Sequence, residues 1–245
     1  MGLYFGGKMK KIFWFLLLMC MVVPYVSAEN GVVIASGHPD WAPAMYRAND
    51  KIVGIAPEMV TKIFSKLELK VESRYAGSWA DVQELGKRGE IDVIVAAYKT
   101  EERQKYFEYS DAYLNDNISL FSKQNIFYKN PQSLEGYNIA VSRGDSYGQY
   151  IDNFLKSNRS IITVYDEPKV AMFSVSSGRS DLFLYSTSSG EKIIKGAMGF
   201  ENIKSEVVGN MPFYILISKK SRYASLMPQV NKIIEELKSK GEIPT

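Results

Sequence analysis

Short β-rich runs alternate with longer helical patterns along most of this chain, beginning at Val32. Such alternation predicts βα units around largely parallel sheets, and therefore the α/β fold class. The nearly continuous apolar run Ile91–Ala97 predicts a strand that helices cover on both faces. Ser78 before the amphipathic stretch Trp79–Arg88, and Gly89 after it, predict where one helix begins and ends.

The predicted elements fall into two series. The first series holds the predicted strands and helices Val32–Ser36, Ala56–Leu67, Lys70–Ala76, Trp79–Arg88 and Ile91–Ala97. The second series holds the predicted elements Asn138–Ser142, Ser146–Lys156, Ile161–Tyr165, Pro168–Ser177 and Leu182–Tyr185. A predicted strand, Met211–Ser218, and an amphipathic helix, Tyr223–Lys240, then close the chain. The pattern therefore predicts two α/β lobes.

Two extended segments connect the predicted lobes, at Asn117–Ser122 and at Val207–Pro212. We assign residues 29–118 and 211–245 to the first lobe and residues 119–210 to the second. Movement between the lobes would then occur at these two crossings. Ser186–Gly190 is predicted to be a polar loop, and it follows an apolar strand, where open α/β sheets form their binding crevices.

The N-terminal segment has the features of a secretory signal peptide. Lys10 and Lys11 precede the apolar run Ile12–Val23, and small residues precede a predicted cleavage site after Ala28. The run is shorter than the roughly 20 apolar residues that a membrane-spanning helix needs. Residues 1–28 are therefore predicted to be removed on export, and the lysine-rich start at Met9 could itself begin this signal.

Composition then excludes several classes of function. The 30 basic residues exceed the 27 acidic ones only by the three lysines of the predicted signal, which indicates no nucleic-acid partner. Cys20 is the only cysteine and lies within the signal, so no disulfide is predicted, and lipid attachment there is the weaker alternative. His38 is the only histidine, which excludes a histidine-rich metal site. No metal and no cofactor are predicted.

Several short motifs follow one another in order between residues 32 and 243. They are Asp40-Trp41-Ala42-Pro43, Gly54 with Glu58, Trp79–Leu85 with Gly89 and Asp92, Thr100-Glu101-Glu102-Arg103 with Tyr109-Ser110-Asp111-Ala112-Tyr113, Gly144-Asp145-Ser146, and Gly178-Arg179-Ser180-Asp181. Together they resemble the family 3 periplasmic solute-binding proteins, the amino-acid-type receptors of ABC importers. The resemblance implies a type II periplasmic binding protein fold, in which two α/β lobes are joined by a two-segment hinge with a cleft between them.

The resemblance also implies which residues bind the ligand. Arg103 would bind a ligand carboxylate, Ser146 and the backbone N–H groups after Gly144 would support it, and Trp41 and Trp79 would enclose the body of the ligand. The full implied set is Asp40, Trp41, Trp79, Ala97, Tyr98, Arg103, Asp145, Ser146 and Ser186.

Ala112 replaces a proline that is usual in the family pattern, and two positions of the implied binding site also depart from it. Ser186 stands where the family commonly has an aspartate that pairs with the α-ammonium of the ligand, and Tyr98 replaces a small hydroxyl residue. Tyr98 would narrow the pocket or stack on its occupant. The resemblance therefore implies a carboxylated ligand more firmly than it implies an amino acid.

Simpler interpretations stay open at this stage. Arg103 could form a surface ion pair with Glu101, Glu102 or Glu108, an interaction worth under about 1 kcal/mol. The aromatic residues could be core residues, Asp145 or Ser146 could simply cap a helix, and His38 is expected to be structural or exposed to solvent.

The resemblance implies a monomeric periplasmic receptor that captures a small carboxylated solute by hinge closure and delivers it to an inner-membrane ABC permease, without being an enzyme. One alternative is a sensor that passes the binding signal to a kinase. Another is a periplasmic dehydratase of the same fold, with Asp40, Asp145 or Glu191 as the acid.

Overall fold

The computed structural model describes residues 1–2 and 31–243. The predicted signal peptide, its cleavage after Ala28, the alternative start at Met9 and Cys20 lie outside the described residues. Within those residues, no helix is both long enough and apolar enough to cross a membrane.

The first lobe is built on a sheet with the strand order β5-β1-β6-β12, in which β12 is the long strand Lys204–Ser218. Its elements up to the first crossing are β1 Val32–Ser36, β2 Asp40–Trp41, β3 Met45–Ala48, β4 Lys51–Val53, α1 Ile55–Ser65, β5 Lys70–Ser73, α2 Trp79–Arg88, β6 Val93–Ala97, α3 Glu101–Gln104 and β7 Phe107–Tyr109. Strand β1 pairs in parallel with β5 and β6, as the alternating pattern predicts. Strands β2 to β4 form a separate antiparallel sheet that the sequence pattern did not predict.

The second lobe continues the sheet in the order β10-β9-β11-β8, in which β8 is the strand Leu114–Ser122. Its own elements are β9 Asn138–Ser142, α4 Gln149–Leu155, β10 Ile161–Tyr165, α5 Pro168–Ser176, β11 Leu182–Ser186 and α6 Thr187–Lys195. Strand β9 pairs in parallel with both β10 and β11. The carboxyl ends of these three parallel strands therefore lie along the same edge of the sheet, where open α/β sheets bind ligands.

Two long antiparallel strands connect the lobes. They are β8, Leu114–Ser122, and β12, Lys204–Ser218, which pair from Leu114 with Phe213 to Ser122 with Lys204. The pairing is irregular between Val207 and Gly209, within the second predicted crossing. Both predicted lobe boundaries fall inside this strand pair. Helix α7, Met227–Ser239, then packs against α1 of the first lobe.

Local sequence signals explain the start and end of α2, which has the bounds predicted. The Ser78 side chain accepts a hydrogen bond from the backbone N–H of Asp81, and the Asp81 carboxylate accepts one from the N–H of Ser78. Gly89 ends the helix with a φ of 83°, a left-handed conformation that favours glycine. This capping places Trp79 in the first turn, where its ring is buried.

Two sequence predictions on the second lobe are wrong. Helix α4 begins at Gln149 rather than at Ser146, because the Asp152 carboxylate accepts from Ser146 and Tyr147 and holds them in a separate turn. The predicted polar loop over Ser186–Gly190 is instead the end of β11, at Ser186, and the start of α6. Ser189 and Gly190 are buried there, and Gly190 lies against the ring of Phe121, where a β-carbon would come within 2.2 Å.

Candidate functional site

The two lobes are in contact along the cleft between them. The Tyr185 hydroxyl of the second lobe donates to the backbone oxygen of Asp40 in the first, at 2.9 Å. The Ser189 hydroxyl donates to the backbone oxygen of Ala42, also at 2.9 Å. These side chains are buried, so the bonds form only when the lobes meet. The structure therefore shows a closed arrangement of the cleft.

Arg103 lies on α3, directly after the end of the buried strand β6. Thr100 caps this short helix, and its hydroxyl oxygen accepts from the backbone N–H of Arg103 at 3.1 Å. This geometry turns the Arg103 side chain into the protein, where the residue is only 5 % exposed. Glu101 and Glu102 are exposed, and Glu102 pairs with Lys105. The surface ion-pair interpretation of Arg103 is therefore wrong.

The guanidinium of Arg103 connects the two lobes through neutral acceptors. Its Nε–H donates to Oε1 of Gln83 at 2.8 Å, and Nη1 donates to the backbone oxygen of Tyr98 at 3.1 Å. Nη2 donates to the backbone oxygen of Gly144 on the second lobe, also at 3.1 Å. Gln83, which sequence reasoning missed, also donates from Nε2 to this oxygen at 3.1 Å.

Arg103 forms no ion pair with a described carboxylate. Burial lowers the pKa of its guanidinium, while Asp145 and Asp152 raise it from a longer range. The guanidinium carbon also lies 5.2 Å from the centre of the Trp79 ring. A buried cation that contacts only neutral partners is poorly compensated, and an anion beside it would be stabilised.

Aromatic rings from the first lobe pack beside Arg103. The His38 ring stacks on Trp41 with centroids 4.7 Å apart and lies 5.5 Å from Trp79. Trp41 is 5.2 Å from Tyr98, which stacks on Phe213 at 5.0 Å. All five rings are therefore close enough for direct aromatic contact.

The indole nitrogens of this aromatic cluster have unused hydrogen-bonding capacity. Nε1 of Trp41 and Nε1 of Trp79 are buried and have no hydrogen-bond partner among the described residues. Buried polar groups are ordinarily paired, so these two N–H donors call for an acceptor that residues 31–243 do not supply.

The loop between β9 and α4 contacts the carboxylate of Asp152, which lies in the first turn of α4. The Ser146 hydroxyl donates to Asp152 at 2.5 Å, and the backbone N–H of Tyr147 donates to the same carboxylate at 2.8 Å. Burial raises the pKa of Asp152, an effect that these hydrogen bonds oppose. The predicted ligand-supporting donors at Ser146 and beyond are thus occupied by Asp152, a residue that the sequence pattern did not single out.

Asp145, on the same loop, reaches across the cleft to the first lobe. Its Oδ1 lies 3.1 Å from Nε2 of His38, and both side chains are almost fully buried. His38 is therefore a structural residue in this position and is not exposed to solvent. The other oxygen, Oδ2 of Asp145, has no hydrogen-bond partner among the described residues.

The floor of the cleft holds another missed residue, Asp116 on β8. The Tyr98 hydroxyl donates to Oδ2 of Asp116 at 2.6 Å, and the Ser186 hydroxyl donates to Oδ1 at 3.0 Å. Burial raises the pKa of Asp116, although both hydrogen bonds act in the opposite direction. The two positions of the implied binding site that depart from the family pattern thus meet on one carboxylate, an arrangement that no local sequence signal indicates.

The remaining predicted residues lie around this centre. Ala97 is buried at the end of β6 and pairs with Tyr214 on β12. Asp40 is exposed at the edge, and its backbone N–H donates to Nδ1 of His38 at 3.0 Å. Glu191 lies apart on α6, beside Lys195.

A cavity of about 600 Å³ opens beside Arg103, between α3 and the second lobe. Its lining includes Arg103 from one lobe and Ser142, Asp145 and Asp152 from the other. The volume falls in the range of small-molecule sites, and the lining combines a cation with carboxylates. No group of three or more histidine, cysteine, aspartate or glutamate side chains suited to a metal ion occurs among the described residues.

Comparisons with known proteins agree with this architecture. The putative amino-acid ABC transporter-binding protein PatH of Vibrio harveyi is 25% identical to this chain, over 82% of this chain and 81% of the relative. An ancestral arginine-binding protein bound to glutamine superposes with a TM-score of 0.68 at 24% identity, over 86% of this chain and 93% of that one. A histidine kinase sensor domain with similarity to periplasmic binding proteins gives a TM-score of 0.73 at 17% identity, over 86% and 92%.

These structural likenesses confirm the predicted fold, two α/β lobes with a cleft between them. One protein family matches this chain over almost the same residues as the ordered motifs, which lie between residues 32 and 243. That match covers residues 33–245, and by it the chain belongs to the bacterial extracellular solute-binding proteins, family 3.

Proposed function

We propose that this protein captures a small carboxylated solute, an amino acid or a related polar organic acid, and delivers it to an ABC importer. The observation that carries the proposal is Arg103, a buried cation at the lobe interface whose hydrogen-bond acceptors are all neutral. The name of the Vibrio harveyi relative supports delivery to an ABC transporter.

A carboxylate suits Arg103 for geometric reasons. A guanidinium has five N–H groups in a planar fork, and the protein uses three of them in the hydrogen bonds described. The remaining N–H groups can donate to carboxylate oxygens, and such charge-assisted bonds are shorter and stronger than neutral ones. In a buried site each contributes about 1.5 to 3 kcal/mol.

Ligand binding would be coupled to closure of the lobes. Arg103 reaches Gly144, and His38 reaches Asp145, only when the second lobe approaches the first. A ligand that contacts both lobes would therefore favour the closed state over an open one, by its difference in affinity for the two. The connecting strands β8 and β12 would bend at their irregular pairing near Val207 to Gly209.

The proposed cellular setting follows from the family and from the N-terminal sequence. Export by a cleaved signal would place a monomeric receptor in the periplasm, where the importer subunits of the inner membrane are its partners. We propose a binding role without catalysis, because the family consists of solute-binding proteins.

Substitution of Arg103 tests the proposal directly. Thermal-shift screening of the mature protein against amino acids, dicarboxylates and aromatic acids should identify ligands, and calorimetric titration should then give their affinities. Arg103→Ala should weaken binding by at least about tenfold, in line with the loss of a charge-assisted hydrogen bond of about 1.5 to 3 kcal/mol. Arg103→Lys should recover part of the affinity, because a lysine keeps the charge and loses the planar fork.

Arg88→Ala is the matched control. Arg88 lies on α2 of the same lobe, but it is exposed and pairs with Glu90, so its removal should leave affinity unchanged. Carboxylate binding that survives Arg103→Ala with full affinity would reject the proposed clamp. A protein that binds none of these carboxylated compounds would reject the proposed function itself.

A second candidate is a sensor role, favoured by the structural likeness to a histidine kinase sensor domain. Ligand capture would then be the same, but the closed protein would contact a signalling receptor instead of a permease. Cross-linking of the exported protein in membranes, with and without a bound amino acid, should separate the two roles through the protein that is captured. Ligand-dependent capture of a permease subunit would support transport, whereas ligand-dependent capture of a kinase would support sensing.

A further inference from the structure

At the position of Ser186 the family pattern has an aspartate that pairs with the α-ammonium of the ligand. A serine there leaves that ammonium without its usual carboxylate. The Ser186 hydroxyl donates to Asp116 and carries no charge, so it compensates an ammonium less well than a carboxylate would. Asp116 has both oxygens engaged, one by Ser186 and one by Tyr98. A carboxylate oxygen that has no donor among the described residues has the greater need of one, and is therefore the acceptor to consider.

Asp145 has that available oxygen. Its side chain is 0% exposed, Oδ1 contacts His38, and Oδ2 has no hydrogen-bond partner among the described residues. A buried carboxylate oxygen without a donor is strongly destabilising, so a donor at Oδ2 would stabilise the closed cleft. The Ser142 hydroxyl, which is also buried and unpartnered, borders the same cavity.

The hydrogen bonds of His38 fix the orientation of Asp145. Nδ1 of His38 accepts from the backbone N–H of Asp40 at 3.0 Å, so it carries no proton in this arrangement. The proton then lies on Nε2, which donates to Oδ1 of Asp145 at 3.1 Å. His38 in turn stacks on Trp41, whose ring holds it in place. These contacts leave Oδ2 of Asp145 as the oxygen available to a ligand.

Asp145 and Arg103 approach one cavity from opposite lobes. Both line the cavity of about 600 Å³, and the Gly144 oxygen that Arg103 contacts belongs to the residue before Asp145. A cationic and an anionic group at one site match a ligand that carries both charges. The loop cannot readily support a second carboxylate, since Ser146 and Tyr147 already donate to Asp152.

We propose that Oδ2 of Asp145, held in place by His38, accepts a hydrogen bond from a protonated nitrogen of the ligand. The ligand is then a zwitterion, with its carboxylate toward Arg103 on the first lobe and its ammonium toward Asp145 on the second. This inference rests on the proposed function, because it requires that a carboxylated solute binds in the cleft. The ammonium site would then lie on the loop after β9, whereas the family pattern has it at the end of β11.

Matched pairs of ligands test the inference. The probes are L-glutamate with glutarate, L-phenylalanine with 3-phenylpropanoate, and L-arginine with 5-guanidinopentanoate, which lacks the α-ammonium of arginine. For any pair of which the wild-type protein binds a member, calorimetric titration should give an amino-acid affinity at least about tenfold above that of the des-amino acid. Asp145→Asn should remove most of this preference by weakening the amino acid, while leaving the des-amino acid within about threefold.

Further variants separate this role from a general effect on folding. Asp166→Asn is the matched control, because Asp166 is an exposed acid that pairs with Arg143 and should leave the preference unchanged. His38→Ala should reduce the preference, and His38→Asn, which keeps a donor, should retain more of it. The preference between paired ligands is the readout, since a merely destabilised protein would weaken both members of a pair equally.

The possible outcomes distinguish the two proposals. If glutarate, 3-phenylpropanoate and 5-guanidinopentanoate bind as tightly as the amino acids, the carboxylate receptor stands and the Asp145 inference is overturned, with Oδ2 hydrated by water. An amino-acid preference that persists in Asp145→Asn overturns it as well. Failure of every probe, together with failure of the wider acid screen, would overturn the proposed function and this inference with it.

Discussion

The two sides of the cleft differ in charge and in chemistry. The first lobe contributes a buried cation, Arg103, together with two indole N–H groups that lack acceptors. The second lobe contributes the carboxylates of Asp145, on the loop after β9, and of Asp152, in the first turn of α4. One side therefore offers hydrogen-bond donors and the other offers acceptors. A ligand with an acceptor end and a donor end would be stabilised in one orientation and opposed in the reverse one.

This difference also bears on closure. Arg103 of the first lobe and Asp145 of the second are buried charges, and each gains contacts to the opposite lobe when the lobes approach. Asp145 and Asp152 both raise the pKa of Arg103, and His38 donates to Asp145 across the cleft. The charge asymmetry thus contributes to lobe attraction, and a bridging zwitterion would add to it.

Removal of the Trp41 ring from the aromatic side of the cleft should have the largest effect on the free energy of unfolding. Trp41 is 2 % exposed and contacts the rings of His38, Tyr98 and Phe213. Trp41→Ala should lower the free energy of unfolding by about 3 to 5 kcal/mol, as large-to-small changes in cores do. Urea unfolding of both proteins measures this difference.

Trp41→Phe is the matched variant, because it keeps a six-membered aromatic ring while it removes the five-membered ring and the indole N–H. It should cost less stability than Trp41→Ala, yet still weaken a bound carboxylate if that N–H donates to the ligand. A loss below about 1 kcal/mol for Trp41→Ala would show that the ring is not an essential part of this core.

Loss of one hydrogen bond between the lobes should have an intermediate effect on the free energy of unfolding. Tyr185 is fully buried, and its hydroxyl donates to Asp40 across the cleft. Tyr185→Phe should cost about 0.5 to 1.5 kcal/mol and increase the population of open molecules. Small-angle scattering should report a larger radius of gyration for the ligand-free variant than for the wild-type protein.

Tyr113→Phe provides the comparison within one lobe. The Tyr113 hydroxyl is also buried and donates to a backbone oxygen, that of Val95, at 2.7 Å. Both changes should reduce stability by similar amounts, but Tyr113→Phe should leave the lobe separation and ligand affinity unchanged. Equal scattering curves for the two variants would contradict the assigned role of Tyr185 in closure.

Local sequence signals predicted much of the fold and only part of the site. The bounds of β1, α2, β9 and β10 agree with prediction at both ends, since caps and hydrophobic periods act over a few residues. The burial of Arg103 beside exposed glutamates also followed from the motif in which it stands. Its acceptor on Gly144 is 41 residues away in sequence and depends on the approach of the lobes.

The residues that sequence reasoning missed are those defined by long-range contacts. Asp116 is recognisable only when Tyr98 and Ser186 meet it from either side, and Gln83 only when α2 approaches Arg103. The helix α6 was missed for a different reason. Its first turn is polar, and within that turn the buried Ser189 donates to the other lobe, so hydrophobicity alone gave the wrong element.

The pH dependence of stability should differ in sign between a buried and an exposed aspartate. Burial raises the pKa of Asp116 above 3.8, so its contribution to stability is complete below that pH and is lost as the pH rises through the folded-state pKa. Asp116→Asn resembles the protonated form. The melting temperature of this variant, relative to wild type, should therefore increase from acidic to neutral pH.

Asp81 supplies the opposite case. Hydrogen bonds from Ser78 hold the pKa of this exposed carboxyl below 3.8, so its stabilisation is present above that pH and is lost on acidification. The relative melting temperature of Asp81→Asn should decrease from acidic to neutral pH. Calorimetry should measure both melting temperatures, relative to wild type, at each pH. If these differences change with pH in the same direction for the two variants, burial does not dominate the titration of Asp116.

A change on the exposed face of α3, at Glu102, should have the smallest effect on stability and affinity. It is also the most direct comparison with Arg103 on the buried face. Glu102 lies one residue before Arg103, but it is exposed and its partner Lys105 is exposed as well. Such ion pairs are screened by solvent and hold two flexible side chains at an entropic cost, so they contribute little. Glu102→Gln should therefore leave both the melting temperature and ligand affinity unchanged within error, while Arg103→Ala weakens binding strongly. Equal losses of affinity in the two variants would mean that α3 acts through its net charge, and that the inward direction of Arg103 is not what binds the carboxylate.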